Sequence, residues 1–477
     1  MTRGLFSKSG RRSLAVGAAA AVLAATVVGL TESSTAVAAT SANVWQTTRD
    51  RADLLTRKPA LTFGGPGSGA VITVDPGKTY QSMVGFGASF TDSAAYNVFN
   101  SPSRDAIMRS LFSGDNGIGL SWLRQPAGAT DFSRSIYSYD AGAPDPTLAR
   151  FSIAHDEAYI LPLLRQAKSI NSQITVMGLP WSAPGWMKTT GSMIGGSLKT
   201  EYEAVFADYL VKFVQAYQAA GMPIAYLSVA NEPKFSPAGY PGMLMSADQQ
   251  SRVINLLAPK LAAAGLNSKI LAYEHNWNDP VYPQQVLANT GANTVGTSWH
   301  CYGGNPGGQS TVRAAYPAKD VFFTECSGTE SGNTANTFGD TLVWQGRNLA
   351  VGSVRNWARA VSLWNLALDT SHGPVIKSCS DCMGLVTVDG STVTYNADYY
   401  VLGHLAKFVK PGAVRIESSA QAQGGIENVA FRNPDGSIVL VAVNSGGAQN
   451  FQVAYRGSSF GYRMPAGSMA TFTWPGA

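Results

Sequence analysis

"YEAVFADYLVKFVQAYQAAGMPIAYLSVANEP", residues 202–233, contains one whole repeat of the fold. Tyr202, Val205, Phe206, Tyr209, Leu210, Phe213, Val214 and Tyr217 recur at three- and four-residue steps, which draws one apolar stripe along a helix. Gly221 supplies a left-handed cap, and Pro223 prevents the helix from continuing. The run that follows is apolar without alternation, as a strand covered on both faces must be, and it breaks into the polar "NEP". The Tyr and Phe rings of the stripe are therefore core rather than a binding surface.

Working outward, the same pattern of apolar run, polar tip and helix recurs. The runs are MVGFGASF (83–90), SWLRQPAG (121–128), QITVMGLPWS (173–182), IAYLSVANEP (224–233), KILAYEHNW (269–277), TVGTSWHCY (294–302), DVFFTECSG (320–328) and VSLWNLALD (361–369). Eight such units predict an α/β fold, a (β/α)8 barrel, over residues 83–408. Residues 40–82 and 409–477 instead carry short strand-like runs broken by turns such as Pro434-Asp435-Gly436. Neither segment alone could bury its apolar face, so the two chain ends are expected to join in one antiparallel β-sandwich.

Residues 1–39 read as a secretory signal peptide: Arg11-Arg12 precede the apolar LAVGAAAAVLAATVVGL, which ends near Ala36-Val37-Ala38. A twin-arginine signal is the weaker alternative. That leader carries four basic residues against one acidic, so its removal takes the formal charge from +5 to +2. Without a basic cluster interleaved with aromatics, nucleic acid is excluded as a partner. No later run is long enough to span a bilayer, which leaves a secreted, extracellular monomer with no membrane anchor.

The active site of such a barrel lies where the strands end. The strand-end residues are Asp92, Arg124, Trp181, Asn231-Glu232, Glu274-His275-Asn276, His300, Tyr302, Glu325 and Trp364-Asn365. Glu232 and Glu325 belong to strands four and seven, which face each other across the mouth. Two such carboxyls suit glycoside hydrolysis, in which one donates a proton to the departing oxygen and the other attacks the anomeric carbon. Keeping the acid protonated near neutral pH takes an upward shift of ~2 units, about 2.7 kcal/mol. Trp181, Trp186, Trp277, Trp299 and Trp364 are candidate platforms for a sugar ring, although Trp299, next to His300 on one strand, should face the other way. Five histidines without His-x-x-x-His spacing imply neither a catalytic metal nor a cofactor.

Four cysteines, Cys301, Cys326, Cys379 and Cys382, would meet an oxidising compartment, where disulfides are the default. Cys379 and Cys382 suit a local bridge, with half a zinc site or a redox pair as alternatives.

The series GFGASFTDSAA, RQPAGATDFSRSIYSYD, LPWSAPGWMKTTG, GSLK, VANEP, WHCY, FFTECSG, WNLALD and YYVLGHLAKFVKPGAVRI resembles glycoside hydrolase family 30, in its glucosylceramidase-like and endo-β-1,6-glucanase branches. The resemblance implies a barrel with an attached sandwich and a retaining mechanism on a carbohydrate substrate. It implies Glu232 as acid/base and Glu325 as nucleophile, with Asn231 on the sugar 2-hydroxyl. Asp92, Trp181 and Trp364 would line the terminal subsite, Arg124 and Tyr302 would hold Glu325, and His300 would support the acid. Cys301 replaces a Trp, and Leu363 an Asp, of the glucosylceramidase pattern. These departures weaken the ceramide reading, and a secreted enzyme without a lipid-binding helix fits a β-glucan, β-1,6-linked, with glucosylceramidase or β-xylosidase as alternatives within the family; a non-catalytic carbohydrate-binding protein is the reading from another class. With Cys301 and Cys326 level on neighbouring strands, roughly 5 Å between Cα atoms, a bridge between them is expected, two free buried thiols being the alternative.

Overall fold

A computed structural model describes residues 40–330, 332–420 and 425–476; the expected signal peptide lies outside them. Eight strands form the barrel: β1 (Gly85–Ser89), β2 (Trp122–Pro126), β3 (Thr175–Leu179), β4 (Ile224–Ser228), β5 (Lys269–Asn276), β6 (Gly296–His300), β7 (Asp320–Glu325) and β8 (Ala358–Asp369). Each pairs in parallel with the next, and β8 closes onto β1.

The helix of residues 203–219 buries Phe206, Tyr209, Leu210, Phe213, Val214 and Tyr217 in the layer outside the barrel. It ends as the sequence predicts. Gly221 takes φ 84°, its N–H reaches Gln218 O at 3.0 Å, and Met222 N–H reaches Tyr217 O at 2.9 Å. Those are the two bonds of a Schellman stop, which turn the chain directly into β4.

Inside the barrel, Trp122, Met177, Tyr226, Leu271, Phe322 and Ala360 close the lower end as a separate apolar cluster. Trp122 stacks on Phe322 with centroids 5.6 Å apart in this layer, and the polar strand ends that could do chemistry are at the upper end.

Both chain ends share one nine-stranded sheet, in which strands 41–48, 56–62 and 70–82 are interleaved with strands from residues 414–474. The sheet is rolled into a sandwich, and its two edges meet where Gly64 N–H donates to Ser459 O at 2.8 Å. All pairs are antiparallel except one: strand 70–82 runs parallel to strand 449–455, a correction to the purely antiparallel expectation. Parallel pairing is possible because the whole barrel lies between these two segments in sequence and acts as the crossover.

Candidate active site

Arg124 anchors the open end. It follows Trp122 by two residues on β2, so alternation points it inward, and it is fully buried. Its Nη1 donates to Glu325 Oε2 at 2.7 Å, and Nε and Nη2 donate to Glu274 Oε1 at 3.2 and 3.0 Å. Nη2 also reaches Asn231 Oδ1 at 2.7 Å. One guanidinium thus fixes side chains from three separate elements.

Glu274 is the central residue to which the sequence reading gave no role. Strict alternation from inward-facing Leu271 would point residue 274 outward. Instead Tyr273 and Glu274 both adopt left-handed φ, 79° and 68°, and the register with β6 shifts there. This bulge turns Tyr273 out against Trp299 and Glu274 in against Arg124. Ser228 Oγ–H completes the grip on Glu274 at 2.9 Å. Burial would raise the Glu274 carboxyl, but the charge of Arg124 and the His300 hydrogen bond outweigh it and hold the group down at about 2.

His300 lies between three carboxylates. Its Nε2 is 3.2 Å from Glu274 Oε1, and its Nδ1 is 3.1 Å from Glu232 Oε1 and 3.9 Å from Glu325 Oε1. Carboxylate oxygens facing both ring nitrogens favour the doubly protonated imidazolium. Burial opposes this, yet the Glu325 charge and the bonds to Glu232 and Glu274 raise His300 to about 9. Through this shared nitrogen the facing oxygens of Glu232 and Glu325 stand no more than about 7 Å apart.

Glu232 is not on β4 itself. The strand stops at Ser228, and Glu232 sits in the turn beyond it with φ 42°. The turn is tied down on both sides: Asn231 N–H bonds Pro180 O at 2.9 Å, and Glu232 N–H bonds Glu274 O at 3.0 Å. Burial would raise its carboxyl, but His275 Nδ1 at 3.5 Å and His300 Nδ1 at 3.1 Å pull it well below the usual carboxylate range. The direction is opposite to the upward shift expected of a resting acid, because the two imidazoles favour its charged form.

Glu325 accepts the Tyr302 hydroxyl on Oε1 at 3.0 Å, opposite the Arg124 bond on Oε2. Cys301 and Cys326 are bridged, Cα atoms 5.4 Å apart, which couples the tips of β6 and β7. Cys379 and Cys382 form the second bridge, with neither thiol left for zinc.

Asp92 does not face this cluster. Its carboxylate is taken up by His155 Nε2 at 2.8 Å, the Arg134 N–H at 2.7 Å and the Tyr159 hydroxyl. The carboxyl that does feel the site is Asp131, in "ATDFS" just past β2. Burial first, and then the Glu325 charge, raise it to about 7. Ser378 Oγ–H reaches its Oδ2 at 3.0 Å, while buried Oδ1 has no protein partner. Asp131 and Asp92 each follow a strand end in the sequence, and local sequence alone does not distinguish them.

Of the five tryptophans, Trp181 and Trp364 form the platform: they stack at 4.7 Å, and the Arg124 guanidinium carbon lies 4.7 and 5.3 Å from their centroids. Trp186 bonds Asp140 O and Trp277 bonds Gln309, both buried in the outer layer, so neither faces the mouth. Trp299 packs outward, as alternation requires. Glu232, His275 and His300 are the one cluster of metal-ligating types among the described residues.

Comparison with known proteins agrees with this geometry. Residues 83–409 match the family model described as Glycosyl hydrolase family 30 TIM-barrel domain, and residues 412–472 match the Glycosyl hydrolase family 30 beta sandwich domain. The chain is 32% identical over 424 residues to an endo-1,6-β-D-glucanase of Trichoderma harzianum, covering 83% of this chain and 84% of that one. It is 31% identical over 400 residues to a putative glucosylceramidase of Caenorhabditis elegans, covering 79% and 76%. The solved structure of an endo-β1,6-glucanase superposes with TM-score 0.83 at 32% identity, over 92% of this chain and 100% of that one.

Proposed function

The chain belongs to glycoside hydrolase family 30, and on that premise we propose that it is a secreted endo-β-1,6-glucanase that works by retaining double displacement. The observation that carries the two-carboxylate mechanism is that His300 Nδ1 faces both Glu232 and Glu325, whose oxygens stand no more than about 7 Å apart. The linkage rests on the glucanase relatives and on the two departures, Cys301 and Leu363, from the glucosylceramidase pattern.

In this reading Glu325, ionised and aimed by Arg124 and Tyr302, attacks the anomeric carbon and forms an ester with it. As the ester forms, the charge that holds the proton on His300 disappears. The proton passes from Nδ1 to Glu232 and on to the departing oxygen. Water then enters, Glu232 takes its proton, the hydroxyl carbon–oxygen bond replaces the ester, and the returning Glu325 charge draws the proton back to His300. Trp181, Trp364 and Asp131 would bound the sugar under attack, and Asn231 would meet its 2-hydroxyl.

Digestion of β-1,6-glucan (pustulan) tests the whole reading: a ladder of oligosaccharides released first as the β-anomer, seen by proton NMR, is expected. First-formed α-anomer would exclude retention. Glucose as the sole early product would exclude endo action. The similarity to a putative glucosylceramidase favours one competing substrate, so faster turnover of a short-chain glucosylceramide than of pustulan would replace the linkage assignment.

Secretion is supported by the N-terminal sequence. Among the described residues no helix is long and apolar enough to cross a membrane. Recovery of the chain from the culture medium, with its N-terminus after residue 38 or 39, tests this part of the proposal.

A further inference from the structure

We propose that the Cys301–Cys326 disulfide is a positioning element of the reaction, which keeps the Tyr302 hydroxyl and the Glu325 carboxylate in register with each other during attack. The inference rests on Glu325 being the nucleophile.

Backbone pairing alone holds the tip of β7 loosely. Its ladder with β8 runs through Val321–Ala358 and Phe323–Val361 and stops two residues short of Glu325. On the β6 side the register shifts between Phe323 and Glu325, and the Glu325–His300 pair is the last. The nucleophile is thus the final paired residue of its strand, directly after an irregularity. Cys326 follows it and is anchored on both sides. Its side chain is bonded to Cys301, with Cα atoms 5.4 Å apart, and its carbonyl accepts the Trp364 N–H at 2.8 Å. The end of β7 is thereby tied to β6 by a covalent link and to the platform tryptophan of β8 by a hydrogen bond.

The two donors to Glu325 are held in different ways. Arg124, on Oε2, is wholly buried and also grips Glu274 and Asn231. Tyr302, on Oε1, is 47% exposed, and a side chain so placed keeps rotamer freedom that burial would remove. What fixes it is its backbone: its N–H donates to Asn276 Oδ1 at 3.0 Å, and the residue before it is Cys301. Donor and acceptor each stand one residue from the same crosslink. It makes one unit of two strand tips, and a misplacement of ~1 Å at a reacting atom can cost up to about 10²-fold in rate.

The test reads nucleophilic attack itself. A 2-deoxy-2-fluoro-β-glucoside with a dinitrophenyl leaving group forms the glycosyl ester and releases it slowly, so the rate of labelling reports attack and peptide mass spectrometry locates the ester. At a temperature where circular dichroism shows both proteins folded, Cys301→Ala with Cys326→Ala should slow labelling about tenfold and lower kcat on pustulan by a similar factor, with KM little changed. Should that variant not fold, the same rates are taken on a chain carrying Cys379→Ser and Cys382→Ser, whose one remaining bridge is 301–326. Cys301 is half-buried and lines a cavity of about 460 Å³, wide enough for a small dithiol. Dithiothreitol closes to its cyclic disulfide as the two cysteines become thiols, and the folded enzyme should lose the same factor and regain it on reoxidation in air. Unchanged labelling and kcat without the bridge, or a loss confined to KM, overturns the positioning and leaves Glu325 as nucleophile. An ester on another residue of the wild type, or no ester at all, removes the nucleophile assignment and the positioning with it.

Discussion

The two ends of the barrel interior are built from the same strands, two or three residues apart, and follow opposite rules. At the lower end Trp122, Leu271 and Phe322 keep strict alternation and pack in one apolar cluster. At the mouth the continuing chain gives Arg124, Glu274 and Glu325, and alternation holds only for the first. Both glutamate strands break register at that point, β5 between Tyr273 and His275 and β7 between Phe323 and Glu325. Three carboxylates then face two cations, and the fourth carboxyl, Asp131, is pushed up to about 7, where neutrality costs little. The lower end is organised for burial; the mouth accepts left-handed backbone and crowded charge for the sake of a proton held between acids.

If that contrast is real, substitutions at the two ends should fail in different ways. The largest expected effect is on rate: Glu325→Gln keeps the shape but removes the nucleophile, and kcat/KM should fall by at least about 10⁴. Its melting temperature should drop less than that of Leu271→Ala. The latter empties part of the closed layer and should cost about 2–5 kcal/mol in stability while the folded fraction retains its kcat/KM. Denaturant melts and kinetics on both variants check this. If Leu271→Ala lost activity as Glu325→Gln does, the lower end would not be a passive layer.

A third effect lies between the ends. The 301–326 bridge spans 25 residues of chain, and the paired change Cys301→Ser with Cys326→Ser should cost about 3.5 kcal/mol by chain entropy. The 379–382 bridge closes a far shorter loop and should cost less on the same measure. Urea unfolding of both double variants gives the ranking directly, and equal losses would show that the bridges act on the native site rather than on the unfolded chain.

What could be read from the sequence divides along the same line. Elements with one periodicity were legible: the stripe from Tyr202 to Tyr217, its Gly221 stop, the eight apolar runs and the outward turn of Trp299. Glu232 and Glu325 were legible by type and place, though Glu232 proved to lie four residues beyond its strand. Glu274 was visible in the chain yet assigned no part, because its inward direction depends on two left-handed residues that no hydrophobic pattern announces. Asp131 was obscured by a plausible neighbour, since Asp92 and Asp131 both follow strand ends and only the fold shows which one Arg134, His155 and Tyr159 have claimed. The parallel pairing of strands 70–82 and 449–455 joins segments nearly the whole chain apart, beyond any local signal.

The smallest predicted effect is the most specific test of the mouth. Glu274→Gln keeps an acceptor for Arg124 but deletes a charge that helps to raise His300. The His300 pKa should then fall from about 9 toward its ordinary value. A group raised on folding contributes stability that is complete below its unfolded pKa and is lost as pH rises through the folded one. The loss expected near pH 9 should therefore move to lower pH. Because the same proton serves Glu232, the alkaline limb of kcat/KM on an aryl glucoside should shift in the same direction by about one unit, worth about 1.4 kcal/mol. Any step contributed by Asp131 near pH 7 should persist, since its shift comes from burial and Glu325 rather than from Glu274. An alkaline limb that stays in place would mean that the catalytic proton is not stored on His300, and the distinction between a closed apolar end and a proton-holding mouth would lose its central element.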